Sequence, residues 1–110
     1  MITGGEYDAG PFFVRFNDYT EVGDMVPPHD HENIHWTECR LGLARVGLKM
    51  PDGSITYTNI GPLDRLVPVP GVALHSIEAL QVPCRTQCLF LHRDLNGVAT
   101  DRVCNTRAYQ

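Results

Sequence analysis

Apolar and polar residues alternate along this chain in short runs. No window keeps an apolar 3.6-residue period for long, so strands are predicted from end to end. Residues 11–16 (PFFVRF) read as a strand that stops at a polar turn, Asn17-Asp18. Residues 19–25 read as a second strand, broken by Pro27-Pro28, and residues 36–49 as a long β-compatible run interrupted by Gly42 and Gly47. Pro51-Asp52-Gly53-Ser54 is a strong turn signal, because Asp-Gly accepts the positive φ of a tight hairpin. Residues 54–59 (SITYTN) alternate as a half-buried strand would, and residues 66–69 form a short apolar strand before Pro70-Gly71. Residues 75–80 and 86–92 (TQCLFLH) complete the set, with 97–103 as a further edge strand in a polar tail that starts near residue 94. Short strands separated by regular turn signals predict a sandwich or barrel. With no internal repeat, low-complexity segment or domain boundary, residues 1–110 are expected to form a single domain with its core over about 12–93.

Composition narrows the partners more than the fold. Hydrophobic residues make up 43% of the chain and charged ones 20%, which argues for a packed core and against disorder. Nine basic residues against thirteen acidic ones give a net charge of −4, and no Lys/Arg cluster occurs. Phosphate recognition needs concentrated positive charge, so neither a nucleic acid nor an anionic membrane is expected as partner. The opening MITGGEYDAG lacks the basic and apolar regions of a secretory signal, and no stretch is long and apolar enough to span a bilayer. A cytoplasmic protein is the expectation. Cysteines stand at 39, 84, 88 and 104. In a strand, Cys84 and Cys88 lie roughly 13 Å apart at about 3.3 Å per residue, too far to bridge each other. They read as small buried hydrophobes in a reducing compartment.

The histidines carry the candidate chemistry. His29 and His31 occupy positions i and i+2, and in a strand these share a face. His35 has the same parity, which places three of the five histidines of the chain within seven residues. Imidazole is the commonest protein ligand for zinc, copper, iron and nickel, so a metal site is the expected use of this cluster. The bland alternative is a set of solvated loop histidines ahead of a long strand.

The residues around the cluster resemble those of the cupin family. Its first motif, G-x5-H-x-H-x3,4-E-x6-G, is matched by Gly23, His29, His31 and Gly42 in the proper spacing, with His35 where the family usually has glutamate. The looser second motif is echoed by Gly61, Pro68, Pro70, Gly71 and His75, with one extra residue between glycine and histidine and Ala79 in place of the terminal asparagine. The resemblance covers about residues 12–93. It implies an all-β cupin double-stranded β-helix, a jelly-roll-like antiparallel β-barrel, binding one divalent transition metal ion (Fe, Mn, Ni, Cu or Zn) through His29, His31, His35 and His75. Four neutral imidazoles bring no charge to such a shell, so the ion keeps its full positive charge toward an anionic ligand and copper, zinc, nickel or iron is favoured over magnesium. Without His35, the remaining three resemble the ligands of three-histidine cupin dioxygenases.

Three functions follow from the resemblance. The leading one is a metal-dependent oxygenase, of dioxygenase type, acting on a chelating oxygenated small molecule. The alternative is a non-redox isomerase, lyase or cyclase using the ion as a Lewis acid, although no general base is evident in the pocket. The third is a binding module without turnover. By parity, Thr37, Cys39 and Leu41 share the face of His35, while Trp36, Glu38 and Arg40 point away. Tyr57 reads as a packed aromatic, with a hydroxyl near the pocket as the less favoured role; His92 reads as a surface residue, and Glu78, opposite in parity to His75, as lying outside the barrel. A homodimer is expected, with Phe12, Phe13, Val14 and Phe16 adding a strand across the interface.

Overall fold

The computed structural model describes residues 1–30, 35–64, 66–69, 74–91 and 107–108. Eight strands and no helix occur among them: β1 (Ile2–Ala9), β2 (Phe12–Tyr19), β3 (Met25–Asp30), β4 (His35–Lys49), β5 (Ile55–Ile60), β6 (Val67–Val69), β7 (His75–Leu91) and β8 (Arg107–Ala108). Every described pairing is antiparallel.

The architecture follows from β4 and β7, which are 15 and 17 residues long and pair with each other along most of their length. Both bend at the same level. The register of β4 shifts repeatedly between Cys39 and Ala44, opposite the Val82-Pro83 peptide of β7. Gly42 makes this approach feasible. It holds φ at +76°, and a Cβ there would come within 2.5 Å of the carbonyl oxygens of Gln81 and Pro83. The bend splits each strand between two layers. One runs β1-β2-β7-β4-β6 through the C-terminal half of β7 and the N-terminal half of β4; the other runs β8-β3-β7-β4-β5 through their remaining halves.

Inward residues of both layers form one core. Phe13, Tyr19, Cys39, Cys84, Cys88 and Phe90 come from the first layer, and Ala44, Val46, Ile60, Ile77 and Ala79 from the second. Buried polar groups are few. Tyr19 and Thr86 join hydroxyls at 2.8 Å, and Thr37 Oγ1 lies 3.4 Å from Cys88 Sγ. Three free cysteines, Cys39, Cys84 and Cys88, are buried as expected, with Cys104 outside the described residues.

The all-β expectation holds, but the closed barrel does not. Among the described residues β1 is paired only with β2, β5 only with β4, and β6 only with β4, so the sheet folds over on itself and keeps open edges. Period-two patterning identifies strands and their buried faces, whereas closure depends on which edges meet, and that is not encoded in the pattern.

Several boundaries also moved. Asn17 and Asp18 are not a turn: β2 continues to Tyr19, and Arg85 from β7 donates two hydrogen bonds to the Asp18 carboxylate at 2.7 and 2.8 Å. The turn falls at residues 20–24, where Asp24 Oδ2 accepts the backbone N–H groups of Thr20 and Glu21. Pro27 and Pro28 do not end a strand but occupy the register shift of β3 between Val26 and His29. Residues 75–80 and 86–92 belong to a single strand through residue 91. The Asp-Gly turn is as predicted, with Asp52 Oδ1 accepting Ser54 N–H and O–H at 2.9 and 2.6 Å. The strand predicted over 97–103 lies outside the described residues.

Candidate metal centre

Three histidines meet between the two layers, at the end where β4 and β7 begin. His75 opens β7 and pairs directly with His29 of β3; their ring centroids are 4.1 Å apart. His35 opens β4, in the other layer, and pairs with Phe90; its ring lies 4.7 Å from His75 and 4.5 Å from Phe90. Both strand-opening histidines are about 1% exposed, and their Nε2 atoms are closed off from solvent. His29 is half-buried at the mouth. Its Nδ1 lies 2.8 Å from the carbonyl oxygen of Pro27. A carbonyl only accepts, so Nδ1 carries the proton and Nε2 presents its lone pair, the arrangement that a metal-binding imidazole needs.

The structure therefore brings together three of the four predicted ligands, and the fourth, His31, lies outside the described residues. Among the described residues, no group of three or more His, Cys, Asp or Glu side chains is set around a common point as a metal shell. The donor set fits a divalent ion by its chemistry: closely spaced imidazoles, one with its tautomer fixed by a backbone carbonyl, two buried.

A cavity of about 620 Å³ leads away from His29, lined by Gly4, Gly5, Glu6, Arg15, Phe16, Asn17, Val26, Pro27, Ile77, Cys88 and Phe90. Its composition follows from the register. Glu6 faces Arg15, and Arg15 faces Cys88, in one inward row across β1, β2 and β7. Burial pushes the Cys88 thiol up to about 11, so it stays protonated and neutral near pH 7. Arg15 and Glu6 went unrecognised in the sequence. The parity that Arg15 shares with Phe13 and Tyr19 marks the inward face once the strand runs on to Tyr19 instead of stopping at residue 16.

Other parity assignments hold. Thr37 and Cys39 are buried beside His35, and Glu38 faces out, accepting a hydrogen bond from Gln87 at 2.7 Å. Leu41, in contrast, is 49% exposed, because the bulge after Cys39 breaks the alternation. Glu78 lies outside the core, as expected. Tyr57 is not packed: it is 61% exposed on the outer face, with the Arg45 guanidinium 5.8 Å from its ring. Phe13 and Val14 are buried within the chain, where β2 pairs with β1 and β7. His92 lies outside the described residues.

No protein-family model and no curated protein sequence matches the chain. Solved structures do. The fold is shared with solved structures of oxalate decarboxylase. The Bacillus subtilis enzyme at pH 4.6 superposes with a TM-score of 0.69 at 22% identity, over 89% of this chain and 24% of that one. A structure concerned with substrate binding and a reaction-specificity switch in oxalate decarboxylase gives 0.72 at 20% identity, over 90% and 24%. A third, described with Mn(II) centres in the Bacillus subtilis protein, gives 0.66 at 22% identity, over 84% and 23%. The chain thus spans about a quarter of the length of the proteins it resembles. This corrects the oxidoreductase expectation: the similar structures are of a decarboxylase, a lyase, and not of a dioxygenase. The oxygenase reading follows from the resemblance of the histidine set to a family motif, and a histidine set suits an ion without selecting the reaction that ion serves. No helix among the described residues is long and apolar enough to cross a membrane.

Proposed function

We propose that the chain is a metal-dependent enzyme of the lyase kind, in which His29, His31, His35 and His75 hold one divalent ion and a small organic acid is bound beside it. The observation that carries this reading is the meeting of His29, His35 and His75, from three strands and both layers, with His29 in the lining of the cavity. The likeness to oxalate decarboxylase supports it. A divalent ion there supplies Lewis acidity toward the oxygens of the bound acid.

The residues of the chain do the rest. Pro27 fixes the tautomer of His29 through its carbonyl. Phe90 packs on His35 and, with Ile77, gives the cavity an apolar wall that limits water beside the imidazoles. The protonated Cys88 thiol adds no negative charge at this end, so nothing in it opposes an anionic ligand of the ion.

The test is to load the protein with Mn, Fe, Co, Ni or Zn and offer it diacids and 2-oxo acids. Carbon dioxide release that requires the ion, without stoichiometric dioxygen uptake, is expected. Tight metal binding without turnover of any acid would instead indicate a binding module, and product formed only with matching dioxygen uptake would refute the lyase reading.

A further inference from the structure

The cavity is far larger, and more apolar, than a two-carbon diacid requires. At about 620 Å³ it lies in the middle of the range of pockets that enclose drug-sized ligands, about 300–1,000 Å³. Val26, Ile77 and Phe90 supply apolar wall. Within this lining stands a single cationic side chain, Arg15.

The setting of Arg15 is specific. Its Nε lies 3.3 Å from Glu6 Oε2, directly across the β1–β2 pair. Its guanidinium carbon sits 5.7 Å from the ring of Phe13 and 5.9 Å from that of Phe90. Glu6 and two aromatic rings therefore hold the planar group in place, while its side chain keeps 36% exposure. Among the described residues the recorded ion pair of Arg15 uses Nε alone. A guanidinium held by Nε still offers donors on its two terminal nitrogens, and a carboxylate is the group that matches such a pair. The Phe90 ring stands between the Arg15 guanidinium, 5.9 Å away, and the His35 ring, 4.5 Å away.

From this geometry we infer that the cavity selects a partly apolar organic acid, its carboxylate on Arg15 and its hydrocarbon portion against Val26, Ile77 and Phe90, in preference to a short diacid such as oxalate. The inference deepens the lyase reading and rests on it only for the reaction, since recognition by Arg15 requires no metal. Arg15 is on this account a specificity-determining residue.

The experiment is calorimetric titration of the metal-free protein with 3-phenylpropanoate, with its amide 3-phenylpropanamide, and with oxalate. In the wild type the acid is expected to bind at least about tenfold more tightly than the amide, since a charge-assisted hydrogen bond contributes about 1.5–3 kcal/mol, and more tightly than oxalate. Arg15→Gln should abolish the preference for acid over amide, and Arg15→Lys should retain part of it. The comparison of acid with amide in the wild type needs no variant, so it stands even if Arg15→Gln fails to fold. Equal binding of acid and amide, unchanged acid binding in a folded Arg15→Gln, or preference for oxalate would overturn the inference. Because these measurements use the metal-free chain, absence of bound metal or of carbon dioxide release would count against the lyase reading and not against Arg15.

Discussion

Replacing Gly42 by alanine separates two demands that the fold places on one residue. The first is conformational: φ is +76°, where an L-residue costs roughly 1–2 kcal/mol relative to glycine. The second is steric: the new Cβ would stand 2.5 Å from two carbonyl oxygens, of Gln81 and Pro83, and 3.1 Å from Cys84 Cα. All three are backbone atoms of the opposite strand, so no side-chain rotation relieves the contact. Overpacking of this kind costs about 1–3 kcal/mol, for a total of about 2–5 kcal/mol. Gly53 is the control. Its φ is +90° and an added Cβ meets nothing within 4 Å, so Gly53→Ala should cost only the conformational part. In equilibrium urea unfolding followed by circular dichroism, with a slope of about 2 kcal/mol per molar, the Gly42 variant should unfold about 1 M earlier than the Gly53 variant. Equal midpoints for the two would show that the bend of β4 tolerates a side chain, and the two-layer account built on it would fail.

Two further outcomes follow from the buried and paired groups. The Arg85 hydrogen bonds hold the Asp18 carboxyl below its ordinary 3.8, so the contribution of this pair is present above that value and is lost as pH falls through the lower, folded pKa. Both side chains are more than a third exposed, which keeps its size below about 1 kcal/mol; Asp18→Asn should flatten the fall in stability below pH 4, and an acid-unfolding profile unchanged from wild type would refute the assignment. Burial raises the thiols of Cys39, Cys84 (to about 12) and Cys88 (to about 11). Iodoacetamide at pH 8, read by mass spectrometry, should spare all three in the native protein and label them in urea; rapid native labelling of any would contradict their burial.

Much of this structure is legible in the chain, for reasons that differ by element. Asp52-Gly53 announces its turn because the required chemistry is local. The inward face of residues 35–39 is readable because alternation is strict until the bulge. The long reach of β7 is not: Pro83 suggests a break, yet the strand continues past it, held by β2 and β4 on either side. The site shows the same division. His29, His35 and His75 can be paired by spacing and by resemblance to a motif, whereas Arg15 and Glu6 become part of the cavity only through the pairing of β1 with β2, a long-range fact. Gly42 was visible as the last position of that motif; the structure supplies its physical reason, the close approach of two bent strands.

Whether the gathered histidines hold a metal ion is decided by elemental analysis of untagged protein. About one divalent transition metal ion per chain is expected in the wild type, depleted in both His29→Ala and His75→Ala. Full occupancy retained in both variants would contradict it.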